Sequence, residues 1–186
     1  MDKRIKIYVL MLSEYFPVSH PKAGQPTGFA DALKANLQRL ECHEQRQCVG
    51  CGECVRPLKY HTLRRNAELW EKRAAEINAG HAVLSIRQWS GKPYGKGTHQ
   101  IEIVRLTHLG TQRITMSYQW HQVLSVYFPT SPEVHTSQRA KAVELSRLAS
   151  NDGLSVVDFM HWFALRKKRC SEDFHGVILH FTDMRY

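Results

Sequence analysis

Carboxylates are scarce in this chain. Its 186 residues carry 17 Asp plus Glu against 26 Lys plus Arg, a net charge of +9. That balance favours a polyanionic partner, nucleic acid ahead of an anionic membrane surface. Long apolar runs are missing too. No segment approaches the roughly 18 apolar residues that a membrane-spanning helix needs. The start, Met1 to Arg4 followed by Ile5 to Leu12, lacks the marks of a secretory leader. Lys6 interrupts the apolar run, and Glu14 and Tyr15 stand where a small-residue cleavage site belongs. The segment reads as a first buried strand, and the chain is expected in the cytoplasm. There its five cysteines would be reduced or metal-bound, not paired in disulfides. Internal repeats and low-complexity tracts are absent as well. A single domain over residues 1–186 is expected, with a core of ordinary apolar content.

Cysteine is concentrated in one place. Cys42, Cys48, Cys51 and Cys54 lie in a stretch with little apolar content and no helical or strand period. We read residues 41–57 as an insertion held by something other than a core. Tetrahedral zinc takes four thiolates, and two-residue gaps let consecutive cysteines turn onto one ion. An iron–sulfur cluster uses the same triple, but the usual fourth Cys followed by Pro is missing downstream. Free thiols in a variable loop are the third reading.

The segment Lys59-Tyr60-His61-Thr62-Leu63-Arg64 reads as a strand, because Tyr60, Thr62 and Leu63 favour extended backbone. With a period of two, Tyr60, Thr62 and Arg64 share one face, and Lys59, His61 and Leu63 share the other. So many polar groups are costly in a plain core strand and must reach water, a partner or a ligand. An edge strand protected by its charges has the same composition.

Around it the pattern alternates helix and strand. Phe29, Leu33, Leu37 and Leu40 predict a helix after the Pro- and Gly-marked loop 16–28, with Thr27 as N-cap. Asn66 to Asn78 predicts another, ended by Gly80, with Trp70 in the core. Strands follow over 81–89, 99–108, 112–118 and 122–128. Short strands at close spacing point to a small barrel or strongly curled sheet. The loop between the first two carries Lys92 and Lys96 with Trp89 and Tyr94 nearby, a composition that either grips a phosphate and stacks a base or is a solvated turn. A helix over 137–149, the turn Ser150 to Gly153, a second helix from Ser155 to the basic run Arg166 to Arg169, and a final strand over 174–182 complete the chain.

Lys59-x-x-Thr62-Leu63-Arg64 after a helix, with Asn151-Asp152-Gly153-Leu154-Ser155-Val156-Val157-Asp158-Phe159 downstream, resembles the ASCH family of the PUA-like superfamily. The resemblance runs from about Phe29 onward, minus the cysteine insertion. It implies an α+β fold, a small PUA-like β-barrel with flanking helices. It also implies binding of RNA or a modified nucleotide in a basic cleft between the K-x-x-T-x-R strand and the loop before the late helix. Lys59, Arg64 and Arg65 are then expected on phosphate, Thr62 and Asp152 on a base or sugar, with His61, Lys92 and Lys96 adding to the nucleic-acid surface.

Some small members are amidohydrolases that deacylate N4-acetylcytidine. Their lysine and threonine match Lys59 and Thr62, and their Glu falls at Asp152. This chain departs from them in three ways: Asp152 is a methylene shorter than Glu, Pro57-Leu58 replaces the Gly before the lysine, and the chain is longer. Such an amidohydrolase is the alternative expectation. A metal-stabilised protein-interaction module is the second.

Overall fold

The structure is a computed structural model, and it describes residues 5–44, 58–119, 122–128, 141–142, 145–163 and 173–186. Among them the element order is β1 (Lys6–Met11), α1 (Phe29–Glu44), β2 (His61–Arg64), α2 (Ala67–Asn78), β3 (Ala82–Trp89), β4 (Gln100–Leu106), β5 (Gly110–Gln119), β6 (Gln122–Phe128), β7 (Lys141–Ala142), α3 (Leu145–Asn151), α4 (Val156–Phe163) and β8 (Phe174–His180). The fold is mixed α+β. Its strands form a three-stranded sheet, β1-β3-β4, and a five-stranded sheet, β2-β8-β5-β6-β7.

In the smaller sheet β1 runs parallel to β3, so a crossover must join them, and α1, β2 and α2 lie in it. β3 turns back through a hairpin into antiparallel β4, with a bulge between Ile86 and Arg87. Its Ala82, Leu84 and Ile86 face the core while Arg87 joins a polar lattice with Ser85, Glu102 and Gln100. In the larger sheet β8 is flanked by β2 and β5, both antiparallel to it. The buried side chains of both sheets, α1, α2, α3 and α4 join in one core cluster.

Several expectations change here. β1 is an edge strand and not a buried one: Leu10 is enclosed, but Ile5, Ile7 and Val9 remain exposed. A strand with one wet face can carry an unbroken apolar run, so the run alone misleads. α1 extends through Glu44, so the first four residues of the presumed insertion are helical. The helix expected over 137–149 is cut short. Lys141 and Ala142 pair with Phe128 and Tyr127 as β7, and α3 begins only at Leu145. The basic run Arg166 to Arg169 lies outside the described residues.

Candidate functional site

Two edges meet at the site. β1 ends one sheet and β2 ends the other. Arg64 spans them: Nη2 donates to the Met11 carbonyl at 2.9 Å, while Nη1 donates to Thr62 Oγ1 and to the Leu63 carbonyl, both at 2.8 Å. Beside this bridge opens a cleft of about 440 Å³, lined by Leu12, Ser13, Phe29, Thr62, Leu63, Arg64, Arg65, Asp152, Trp162, Phe163 and Phe174. Thr62 and Arg64 share a face, as a two-residue period requires.

Lys59 lies just outside the strand, because β2 begins only at His61. Its amide donates to Ala32 O of α1 at 3.2 Å, and its carbonyl accepts from Asn36 Nδ2 at 3.1 Å. The Tyr60 amide donates to Asn151 O at 2.8 Å. The peptide is thereby clamped between α1 and the end of α3. Freed from strand alternation, Lys59 turns toward Asp152. Its Nζ donates to Asp152 Oδ1 and to Asp152 O, each at 2.6 Å, and lies 4.1 Å from the centre of the Phe29 ring.

Asp152 follows α3, its amide donating to Leu148 O and Ala149 O. Gly153 then takes φ +78°, a left-handed turn that glycine adopts without steric cost, and leads into α4. The N-terminus of α4 is pinned by Ser155 and Asp158, three residues apart as in a capping box. Ser155 Oγ accepts from the Asp158 amide at 3.1 Å and donates to Asp158 Oδ2 at 2.7 Å. Asp158 Oδ2 also accepts from Lys22 Nζ at 2.7 Å, tying the loop after β1 to α4. Further along α4, Trp162 lies edge-on to Phe29, with ring centres 5.5 Å apart, and Phe163 edge-on to Phe174, at 5.8 Å.

Lys59 is 1 % exposed and Asp152 3 %. Burial pushes the ammonium down and the carboxyl up, each toward its neutral form, and their mutual attraction opposes both shifts. Such a pair is held by its own geometry and is costly to break from one side. Beneath it lies a second polar cluster. Tyr186 Oη accepts from Asn151 Nδ2 at 2.9 Å and lies 2.7 Å from His61 Nε2. With that amide donating, the phenol proton is free to go to Nε2. The imidazole proton then sits on Nδ1, 3.8 Å from Asp152 Oδ1. His180 stands opposite His61 in the β2–β8 ladder, ring centres 5.8 Å apart. Burial first, then Lys59 and His180, hold His61 well below the usual imidazole range. Burial, with Arg185 nearby, takes His180 to about 3. Burial also raises the Tyr186 phenol.

Of the expected site residues, Thr62, Arg64, Arg65 and Asp152 meet at one cleft, with Lys59 behind Asp152. Lys59 itself does not line the cleft, because its ammonium is committed to Asp152. His61 is fully buried and does not line it either. Arg65 is exposed, its guanidinium carbon 4.9 Å from the centre of the Phe174 ring. Lys92 and Lys96 sit exposed on the β3–β4 hairpin, outside the cleft lining. Cys48, Cys51 and Cys54 fall outside the described residues, as does the side chain of Cys42, whose backbone belongs to α1. Among the described residues no group of three or more His, Cys, Asp or Glu is arranged to hold a metal ion.

The residues sequence reasoning missed are the aromatic wall and the Asn151, His180 and Tyr186 cluster. One signal was available for the wall: Trp162 and Phe163 are adjacent on a helix and cannot both face one core. Another was His180, an imidazole in the midst of an apolar strand. Nothing local marks Tyr186.

Among the described residues no helix is long and apolar enough to cross a membrane. No protein-family model matches the chain, and no curated protein or solved structure matches it at a significant level.

Proposed function

We propose that this chain is an ASCH/PUA-like module that binds RNA or a nucleotide in the cleft between the two sheet edges. The observation that carries the reading is the cleft's composition: four aromatic side chains, Phe29, Trp162, Phe163 and Phe174, beside the guanidinium groups of Arg64 and Arg65. Aromatic faces stack bases without regard to sequence, and arginine matches phosphate with paired donors. About 440 Å³ is room for a nucleoside. Thr62 and the cleft-facing part of Asp152 would read base or sugar edges, and Arg65 would take the phosphate. Lys59 acts through Asp152, as a positioning residue. Closure of the two sheets into a PUA-like barrel belongs to the same proposal. The net charge of +9 agrees with a polyanionic ligand.

The test is a salt series of anisotropy titrations with labelled single-stranded RNA, comparing wild type with Arg65→Ala. Arg65 is exposed, so stability should change by less than about 0.5 kcal/mol. Affinity should fall about tenfold, and the slope against log salt should flatten by about 0.7. Unchanged affinity and slope would remove the site from this cleft.

The Lys59–Asp152 pair favours a second reading, hydrolysis of an N4-acylated cytidine. Burial drives both members toward neutrality, the state in which an amine can act as base and a carboxylic acid as proton donor. In that scheme the Thr62 hydroxyl attacks the acyl carbon, its proton passes to Asp152 as Asp152 hands its own to Lys59, and Asp152 then protonates the departing cytosine amine. Water then releases the acyl group from Thr62. N4-acetylcytidine incubated with wild type and Thr62→Ala decides the matter: no cytidine from wild type removes this reading. Zinc on Cys42, Cys48, Cys51 and Cys54 is a separate proposal, tested by elemental analysis of the purified protein.

A further inference from the structure

The β3–β4 hairpin carries a second surface that the cleft does not use. From Gln88 to Gln100 the chain holds Lys92, Lys96 and His99 and no Asp or Glu. Among the described residues neither lysine ammonium forms an ion pair. At the tip Tyr94 is 90 % exposed and takes φ 59°, a left-handed backbone rarely adopted by an aromatic residue. Its ring leans on Trp89, centres 4.9 Å apart at 55°.

The tip is built to hold that pose. The Gly95 amide donates to Lys92 O at 3.0 Å and the Thr98 amide to Gly95 O at 3.1 Å. Thr98 Oγ1 lies within hydrogen-bond reach of both carbonyls, Gly95 O at 2.7 Å and Lys92 O at 3.0 Å. Below them the Ser90 amide donates to His99 O at 2.9 Å, and the His99 amide to Ser90 Oγ at 3.0 Å. A merely solvated turn has no need to fix an exposed ring in a strained conformation, and strain of this kind gathers where a ligand is met.

The hairpin also points the right way. β1 and β3 are parallel, with Met11 opposite Arg87 and the Leu12 amide donating to Arg87 O at 2.8 Å. The chain therefore leaves β1 into the cleft wall, Leu12 and Ser13, at the same end of the sheet from which it leaves β3 into the hairpin.

We propose that the hairpin tip is a second nucleic-acid contact, stacking a base on Tyr94 and taking backbone phosphates on Lys92 and Lys96, so that the ligand is a single-stranded polynucleotide running from the cleft across the tip. This rests on the nucleotide-binding reading of the cleft and narrows it: a free nucleoside or mononucleotide would use only the cleft.

The experiment titrates wild type, Tyr94→Ala and Lys92→Ala/Lys96→Ala with a nucleoside monophosphate and with a fluorescent oligonucleotide of about 12 residues, within the span such surfaces cover. All three sites are exposed, and circular dichroism checks that the variants fold. Wild type should bind the oligonucleotide more tightly than the monophosphate. Tyr94→Ala should weaken the oligonucleotide about 5- to 150-fold, the range for loss of one stacked base. The double lysine variant should flatten the salt slope by about 1.4. Monophosphate affinity should stay the same in both. Equal oligonucleotide affinity in wild type and variants overturns the tip contact while leaving the cleft reading intact. Binding of neither ligand by wild type overturns both readings. In a parallel arm with anionic phospholipid vesicles, variants that lose vesicle binding while keeping oligonucleotide affinity would overturn the tip contact in favour of a membrane surface.

Discussion

Lys59 and Asp152 are the residues on which the site's shape depends. An ion pair this deep is stabilising only while both partners are present. Lys59→Met should therefore cost about 3–5 kcal/mol, since the carboxyl of Asp152 is left buried without its donor. Lys59→Met with Asp152→Leu should recover most of that loss and still abolish ligand binding, which urea denaturation and a binding titration together will show. A double variant no more stable than the single one would mean that the pair is not what holds the turn. The imidazoles beneath set a pH dependence. His61 and His180 are neutral in the fold because their pKa values lie below the unfolded value near 6.5. The unfolded chain takes up protons there as pH falls, and the folded one does not. The stabilisation is complete above about pH 6.5 and declines on acidification toward the folded values; for His180, whose folded value is about 3, the decline reaches about 2 kcal/mol at pH 5. His180 has no hydrogen-bond partner for either ring nitrogen among the described residues. His180→Leu should thus be tolerated at pH 7.5 and should shrink the loss between pH 7.5 and 5 by about 2 kcal/mol. An undiminished loss in that variant would contradict the assignment. At this scale Lys59, Thr62 and Asp152 were grouped only through the resemblance to the ASCH family, since a two-residue period sets Lys59 and Thr62 on opposite faces. The structure brings Thr62 and Asp152 to one cleft, with Lys59 behind Asp152. That Lys59 would be sealed there was not legible, because it depends on where the strand begins. The meeting of His61, His180 and Tyr186 is a product of ladder register, which no local pattern carries.

Elements set by their own caps were read well. α2 has its N-cap, its first-turn Glu68 and its terminating Gly80 in a continuous stretch, and it starts one residue after Asn66 as expected. Asn66 takes φ 59° and its Oδ1 accepts from the Leu69 amide at 3.1 Å. Asn66→Ala loses both the acceptor and the tolerance for a left-handed backbone and should cost about 1–2 kcal/mol. Asn66→Gly should cost only a few tenths. Thermal or urea unfolding distinguishes them, and equal losses would mean the backbone conformation is not at issue. Elements whose limits depend on distant partners were read poorly. α1 outruns its apolar stripe, and Glu41 and Glu44 at its end are good helix formers. Lys141 and Ala142 have helix-compatible neighbours, yet they take the open edge of β6, and pairing there outweighs local propensity. β1 was misjudged because its sequence does not show which faces are covered: Ile5, Ile7 and Val9 share one exposed face, and Leu10 lies buried on the other.

At the scale of the molecule, the gap between the two sheets explains why the site is where it is. Both sheets end in an edge strand, β1 and β2, at that point, and open edges are ordinarily a hazard that proteins cover. Here Arg64 covers part of it by donating to Met11 O, and the remainder is open as the cleft. The α+β character was legible from the alternation of periods along the chain. The division into two sheets was not, since it follows from β2 leaving the crossover to join β8. The account stands on this cleft being the ligand site. Its most direct test is to follow backbone amide resonances while a nucleoside monophosphate is titrated into the full chain. Saturable shifts are predicted at Ser13, Thr62 to Arg65 and Asp152, around the aromatic wall. Saturable shifts confined to other surfaces, or none at saturating ligand, would contradict it.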